Sequence, residues 1–411
     1  MFEADGFHAA QITRSSKADQ ACIHLGSAAA QRVMEYHASI PGFEQTPLRA
    51  LKHLSAELGV KGFYVKDESF RLGLNAFKAL GAGYAMGKWI GDRLGIADEA
   101  LTFDRIVRDE AKKRLGRITF VCATDGNHGR GVAWMARLMG QDCVVYLPKG
   151  TAPQRLKSIQ ACGARAEILM MNYDECVALA AQNADKYGWV LVQDTAFEGY
   201  EKIPAWIMQG YLTMALEAIE QLRDIVPTHV FLQAGVGSMA GSVSALLAQH
   251  YGERKPLIII VEPNKADCIY RTARQGSLQT VTGDMDTIMA GLACGRPNPA
   301  AWAVLSQTAD YAVSCPDWVA AWGMRLLCNP QGDDPRIISG ESGAVTAGLA
   351  SALTQREDLA WLKNLLRLDS DSVILCFSTE GDTDQESYRR IVWEGQSPNA
   401  NSDSEGKSGH A

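Results

Sequence analysis

Between residues 118 and 192 the chain alternates short apolar runs with longer amphipathic ones: "ITFVCA", "HGRGVAWMARLMG", "CVVYLP", "PQRLKSIQACGA", "AEILM", "YDECVALAAQNADKYG" and "WVLVQD". The apolar runs suit strands buried on both faces, and the stretches between them carry helical spacing. Strands alternating with helices of this length predict parallel strands joined by crossovers, in a compact unit of about four strands. A second alternating set follows, with strands "HVFLQA", "PLIIIVE" and "SVILCFS" and helices around 206–221, 238–250 and 341–356. The expected fold class is α/β: two doubly wound units with mainly parallel sheets, their ligands in the cleft beyond the carboxyl ends of the strands. The charged helical stretch 92–117 reads as an excursion between elements. The end of the chain, "EGQSPNANSDSEGKSGHA", has no apolar periodicity and is expected to be a disordered tail over 396–411.

Composition narrows the partners. With 411 residues, 47% hydrophobic and 21% charged, the chain is long enough for two domains sharing a deep cleft. A net charge of -7 argues against a nucleic-acid partner, which selects for a basic face. No apolar run is long enough to span a bilayer and the start "MFEADGFHAAQ" lacks the order of a secretory signal, so a cytoplasmic protein is expected. Ten cysteines are scattered without a C-x-x-C pair, so no metal site is expected, and most read as small buried hydrophobes. Cys268 and Cys294 follow segments assigned to the cleft and could be neighbours.

Candidate chemistry lies where strands give way to helices. Lys78, in "LNAFKALGAGYAM", is the one cation of an apolar helix opening. One explanation is a snorkelling side chain; the other is an amine that burial turns into a nucleophile toward an aldehyde. "QAGVGSMAGS" sets Gly235, Val236, Gly237, Ser238 and Met239 between strand and helix, where backbone amides and the positive helix end can cradle a phosphate. Its G-x-G-x-x-x-G spacing misses the dinucleotide pattern by one residue and no Gly-Lys-Ser/Thr follows, so a small ligand with one phosphate fits, and so does a tight turn. In "ATDGNHGRG", Thr124, Gly126, Asn127 and His128 open a helix whose amides can hold a carboxylate. Asp125 opposes that purpose unless the ligand also carries a cation. Ser378 ends an apolar strand in "LCFSTEGDTD", and Asp194 ends "WVLVQD", facing the same cleft or capping the next turn. Glu262, ending "PLIIIVE" after the glycine loop, keeps open a nicotinamide-dependent oxidoreductase, although Pro263 and the imperfect glycine spacing count against it.

Taken in order, Lys78 after "VKDESFRLGLNAF", then "TDGNHGRG", "GVGSMAG", "ESGA" and "STEGD" resemble the fold type II pyridoxal-phosphate enzymes, the family of threonine and serine dehydratases and the tryptophan synthase β chain. The resemblance runs from Thr46 to about Asp384. It implies pyridoxal 5'-phosphate bound covalently by Lys78. Asn127 would touch the ring hydroxyl, the Gly235–Gly241 backbone the phosphate, and Ser378 the pyridine nitrogen, with Thr379 as the alternative one residue on. It also implies a larger anchoring domain (1–83 and 200–395), a smaller mobile one (84–199), and a homodimer. Asp125 departs from the small neutral residue of the dehydratases, so Lys78 and Asp125 are expected to serve as bases on opposite faces of Cα, one for L and one for D substrates. Asp125 and Asp194 together suit a small amino acid bearing a β-ammonium group better than one bearing a β-hydroxyl. The segments "LVQDTAFEGY" and "TIMAGLACG" also resemble the branch that expels ammonia from a diamino acid. A serine or threonine dehydratase is the rival within the family, and a non-catalytic amino-acid binder the rival outside it.

Overall fold

A computed structural model of the chain describes residues 2–4, 6–14, 21–124 and 126–397. Asp125 and most of the expected tail, 398–411, lie outside the described residues. Among the described residues twelve strands follow in chain order: β1 (Phe2–Ala4), β2 (Phe7–Gln11), β3 (Leu48–Ala50), β4 (Gly62–Asp67), β5 (Thr119–Ala123), β6 (Asp142–Leu147), β7 (Arg165–Ile168), β8 (Val190–Leu191), β9 (His229–Gln233), β10 (Leu257–Pro263), β11 (Tyr311–Cys315) and β12 (Val373–Ser378). They form an eight-stranded sheet ordered β1-β2-β11-β10-β9-β12-β4-β3 and a four-stranded sheet ordered β7-β6-β5-β8. The smaller sheet is parallel throughout, as is the β11-β10-β9-β12-β4 centre of the larger one. Antiparallel pairing is confined to the ends, at β1/β2, β2/β11 and β3/β4.

Burial explains which strands the pattern announces. Strands β9 and β12 are buried along their whole length, and β10 at every residue but the first, so their sequences read as unbroken apolar runs. The edge strand β7 instead alternates exposed and half-buried positions. Strand β4 escapes the pattern because "GFYVKD" ends in two charges, yet Lys66 and Asp67 are both buried. The excursion at 92–117 resolves into the short helices Phe103–Val107 and Asp109–Leu115 after the long helix Lys78–Leu94.

Lys66 belongs to a sealed ionic cluster. Its Nζ lies 2.6 Å from Glu217 Oε2, and Arg71 Nη2 lies 2.6 Å from the same oxygen and 2.8 Å from Glu68 Oε1. All four side chains have no solvent exposure. The cluster ties β4 and the turn after it to the helix Leu212–Leu222. None of the ten cysteines is in a disulfide.

Candidate active site

The carboxyl ends of the parallel strands from both sheets open on one cavity of about 920 Å³. The larger sheet contributes Lys78, Gln233 to Ala240, Thr379 and Glu380; the smaller contributes Ala123, Thr124, Asn127, His128 and Asp194.

Lys78 is the first residue of the helix Lys78–Leu94. Two contacts fix where that helix begins. The Phe77 amide donates to the Thr379 carbonyl at 3.1 Å, and the Gly381 amide to the Asn75 carbonyl at 3.0 Å, so the turn after β4 is sewn to the turn after the neighbouring β12. From the other side the helix Asn127–Met139 presses close: a Cβ on Gly131 would stand 3.0 Å from Ala79 N, so a glycine is needed there.

Lys78 Nζ donates to Asp194 Oδ2 at 2.7 Å, with side-chain exposures of 19% and 8%. His128 stands behind the pair. Its Nε2 lies 2.7 Å from the Val192 carbonyl, which can only accept, so that nitrogen carries the proton, and Nδ1 lies 4.0 Å from Asp194 Oδ2. Burial pushes the Asp194 carboxyl up, but the charges of Lys78 and His128 outweigh it and hold the group at about 2. A carboxylate is thus kept charged against Lys78 on the wall of a cavity.

Beside this pair runs the glycine loop, where the Ser238 hydroxyl donates to the Asp194 carbonyl at 3.0 Å. Gly237 has φ of +93°, a conformation that favours glycine, and hands over to the helix Ser238–Tyr251, whose first-turn amides have no intrahelical acceptors. A Cβ on Gly235 would stand 3.0 Å from Cys294 Sγ, so the loop backbone itself forms the floor. Cys268 Sγ, 3.6 Å from the Gly235 carbonyl, approaches from the same side, which brings the two cysteines together without a disulfide between them. The polar lining fits a phosphorylated aromatic aldehyde: backbone amides for the phosphate, an amine for the aldehyde, and on the cavity wall two buried polar atoms with no hydrogen-bond partner, the acceptor Gln233 Oε1 and the hydroxyl Tyr211 Oη.

The strand ends differ in detail from the sequence expectation. Ser378 is fully buried behind the wall, donating to Ser339 Oγ at 2.8 Å, and Thr379 takes the place on the cavity. Thr124 Oγ1 accepts from the Gly126 amide at 2.9 Å and the Gly129 amide at 3.2 Å, so the Gly126 amide is engaged within the turn and Gly126 is off the cavity wall. Asn127 Nδ2 donates to Glu380 Oε2. Glu262 is removed from ligand binding altogether: it is fully buried and accepts from the Ile269 and Tyr270 amides at 2.8 and 2.7 Å, capping the helix Cys268–Gln275. The oxidoreductase expectation loses its acid for that reason.

Sequence reasoning passed over Gln233, Tyr211, Glu341 and Glu380, which all line the cavity. Gln233 had a visible signal, as the polar end of the apolar run "HVFLQA"; Tyr211 sits inside an apolar helical run and had none. Burial pushes the Glu341 carboxyl up, the charge of Glu380 adds to this, and the Ser387 hydroxyl, donating at 2.5 Å, opposes it; the balance lies at about 7.

Comparison with known proteins gives concordant results. Residues 40–362 match the family described as pyridoxal-phosphate dependent enzyme. The chain is 51% identical over 370 residues to diaminopropionate ammonia-lyase of Escherichia coli (strain K12), covering 89% of this chain and 92% of that protein. The crystal structure of the E. coli enzyme in complex with an aminoacrylate-PLP azomethine reaction intermediate superposes with a TM-score of 0.87 at 46% identity, covering 95% of this chain and 98% of that one. Its complex with D-serine gives a TM-score of 0.89 at 46% identity, with the same coverage.

Proposed function

The chain belongs to the pyridoxal-phosphate-dependent enzymes, and from that premise we propose that it eliminates ammonia from 2,3-diaminopropionate, in both D and L forms. Water then converts the remaining enamine to pyruvate and a second ammonia. The observation that carries the reading is the Lys78–Asp194 pair, 2.7 Å apart on a cavity floored by the glycine loop.

When bound, pyridoxal phosphate supplies an aldehyde for an amine and a conjugated ring that takes up the electron pair left at Cα. Lys78 would hold it at the aldehyde, the Gly235–Met239 backbone at the phosphate, Asn127 at the ring hydroxyl and Thr379 at the ring nitrogen. Thr124, Asn127 and His128 face the position of the substrate carboxylate. The Lys78 amine would remove the Cα proton of the L enantiomer, and Asp125 that of D. Cα–H cleavage leaves an electron pair that forms the Cα–Cβ double bond as the Cβ–N bond breaks. Asp194, already matched to an ammonium, attracts the β-ammonium and holds it while that bond breaks.

The smaller unit, 84–199, closes over the carboxylate and excludes water, while 1–83 and 200–395 anchor the cofactor. A homodimer, as the family resemblance implies, working in the cytoplasm completes the proposal. Among the described residues no helix is long and apolar enough to cross a membrane.

Purified protein should be yellow, borohydride should fix the colour to Lys78, and each enantiomer of diaminopropionate should give one pyruvate and two ammonia. Colourless protein, or turnover of serine or threonine without turnover of diaminopropionate, would overturn the proposal. Asp125→Asn should abolish turnover of D and spare L; equal loss of both would refute the division between the two bases.

A further inference from the structure

Gln233 ends β9 with its side chain against the wall of the cavity, 2% exposed. Its Nε2 lies 2.9 Å from the Phe377 carbonyl oxygen and 2.7 Å from Thr379 Oγ1. A carbonyl oxygen only accepts, so the nitrogen of the amide, and not its oxygen, must face Phe377. The orientation of the amide follows from chemistry alone. Its other edge confirms that nothing else selects this orientation, because Gln233 Oε1 has no hydrogen-bond partner. With one N–H donated to Phe377, the second is donated to Thr379 Oγ1. That hydroxyl is therefore an acceptor toward Gln233, and its own proton turns away from the amide.

We infer that Gln233 is a positioning residue: by donating to the Thr379 hydroxyl it turns that hydroxyl's proton away from itself, and with no acceptor for the proton among the described residues the hydroxyl offers it to the cavity. The inference rests on the reading that Thr379 meets the cofactor ring nitrogen, and deepens it. A hydroxyl that can turn either way would tolerate a protonated or an unprotonated ring. One that presents a proton selects a ring nitrogen with its lone pair intact. The protonation state of the bound ring is thus set from behind the hydroxyl, by a side chain that need not touch the ring.

Donor counting designs the test. In Gln233→Glu the oxygen that replaces Nε2 carries at most one proton, and the Phe377 carbonyl requires it if it is there. Thr379 must then donate to the carboxyl group and present a lone pair to the cavity. Gln233→Met removes both donors at similar volume, and serves if the acid disturbs folding. The readout is the ¹⁵N resonance of holoenzyme reconstituted with ring-labelled pyridoxal phosphate, alongside the dissociation constant of the cofactor. Wild type should give an unprotonated, hydrogen-bonded nitrogen. Gln233→Glu should shift the resonance into the pyridinium range, and Gln233→Met, which leaves the hydroxyl able to turn either way, should shift it part of the way there. A protonated ring in wild type, or a wild-type resonance in both Gln233 variants, overturns the inference. Thr379→Val separates the two layers: if it shifts the resonance while the Gln233 variants do not, only the role of Gln233 falls. If it leaves the resonance unmoved as well, the placement of Thr379 at the ring falls with it.

Discussion

Lys66 and Lys78 flank one turn of chain, both lie among apolar residues, and both face a carboxylate. Lys66 Nζ donates to the Thr46 carbonyl at 2.7 Å and Gln221 Oε1 at 2.8 Å and lies 2.6 Å from Glu217, so its three N–H bonds have three acceptors in a region closed to solvent. Burial lowers its pKa, and the charges of Glu217 and Glu68 oppose that. Lys78 is instead 19% exposed, with its carboxylate partner beside it on the wall of a cavity that can admit a ligand. Burial does not by itself make a lysine reactive. What separates the two is an open side, and the sequence placed that opening by setting Lys78 after a strand end that meets the end of β12.

Exchanging the two lysines for neutral residues should therefore break different things. Lys78→Ala should lose at least about 10³-fold in pyruvate formation, since both the covalent anchor and a base disappear. Its melting temperature should change less than that of a Lys66 variant. Retention of activity within about tenfold of wild type would remove Lys78 from the chemistry.

Lys66→Met should do the reverse. Removing one member of a sealed cluster leaves Glu217 facing a single guanidinium, and such losses are about 3–5 kcal/mol. Urea unfolding should report that loss, while turnover per folded molecule stays near wild type. A stable but inactive Lys66→Met would mean that the cluster is wired to the site after all.

A third carboxylate sharpens the contrast, because Glu341 has burial without a lysine. Its folded pKa of about 7 lies above the ordinary value of 4.5, with burial the larger cause and Glu380 the second. A raised acid stabilises the fold fully below about pH 4.5, and that contribution is lost as pH rises through about 7. The difference corresponds to about 3 kcal/mol. Glu341→Gln should flatten this decline, so that variant and wild type melt together near pH 4.5 and separate by pH 8. Parallel melting curves across that range would show that Glu341 is already ionised in the fold.

The legibility of these residues in the sequence follows from how each is held. Strands β5, β6, β9, β10 and β12 were readable because two-sided burial leaves an apolar run, and the turns beyond them because glycine is tied to backbone geometry. Strand β4 was hidden by Lys66 and Asp67, charges whose burial depends on partners far along the chain, such as Glu217. The choice between Ser378 and Thr379 was unreadable for a similar reason. Ser378 ends β12 and Thr379 lies just beyond it, and only the packing of Ser339 against Ser378 says which of the two meets the cavity wall. Glu341 and Tyr211 reach the cavity from helical stretches whose local pattern does not announce it.

Asp194 tests the comparison from its acid side. Its carboxyl is held at about 2, below the ordinary 3.8, because Lys78 and His128 outweigh the opposing effect of burial. A depressed acid contributes stability above about pH 3.8 and loses it as pH falls toward about 2, a term of about 2 kcal/mol. Asp194→Asn should lose that acid limb, giving a shallower fall in melting temperature from pH 4 to pH 2 than wild type shows. The same change removes the charge matched to a β-ammonium, so kcat/KM for diaminopropionate should fall by about tenfold or more relative to that for serine. If the acid limb flattens while the substrate ratio stays put, Asp194 only holds the Lys78 ammonium, and the choice of a diamino substrate must be sought in Asp125. If neither moves, the Lys78–Asp194 pair is as inert as the Lys66 cluster, and the open side of the cavity has been credited to the wrong carboxylate.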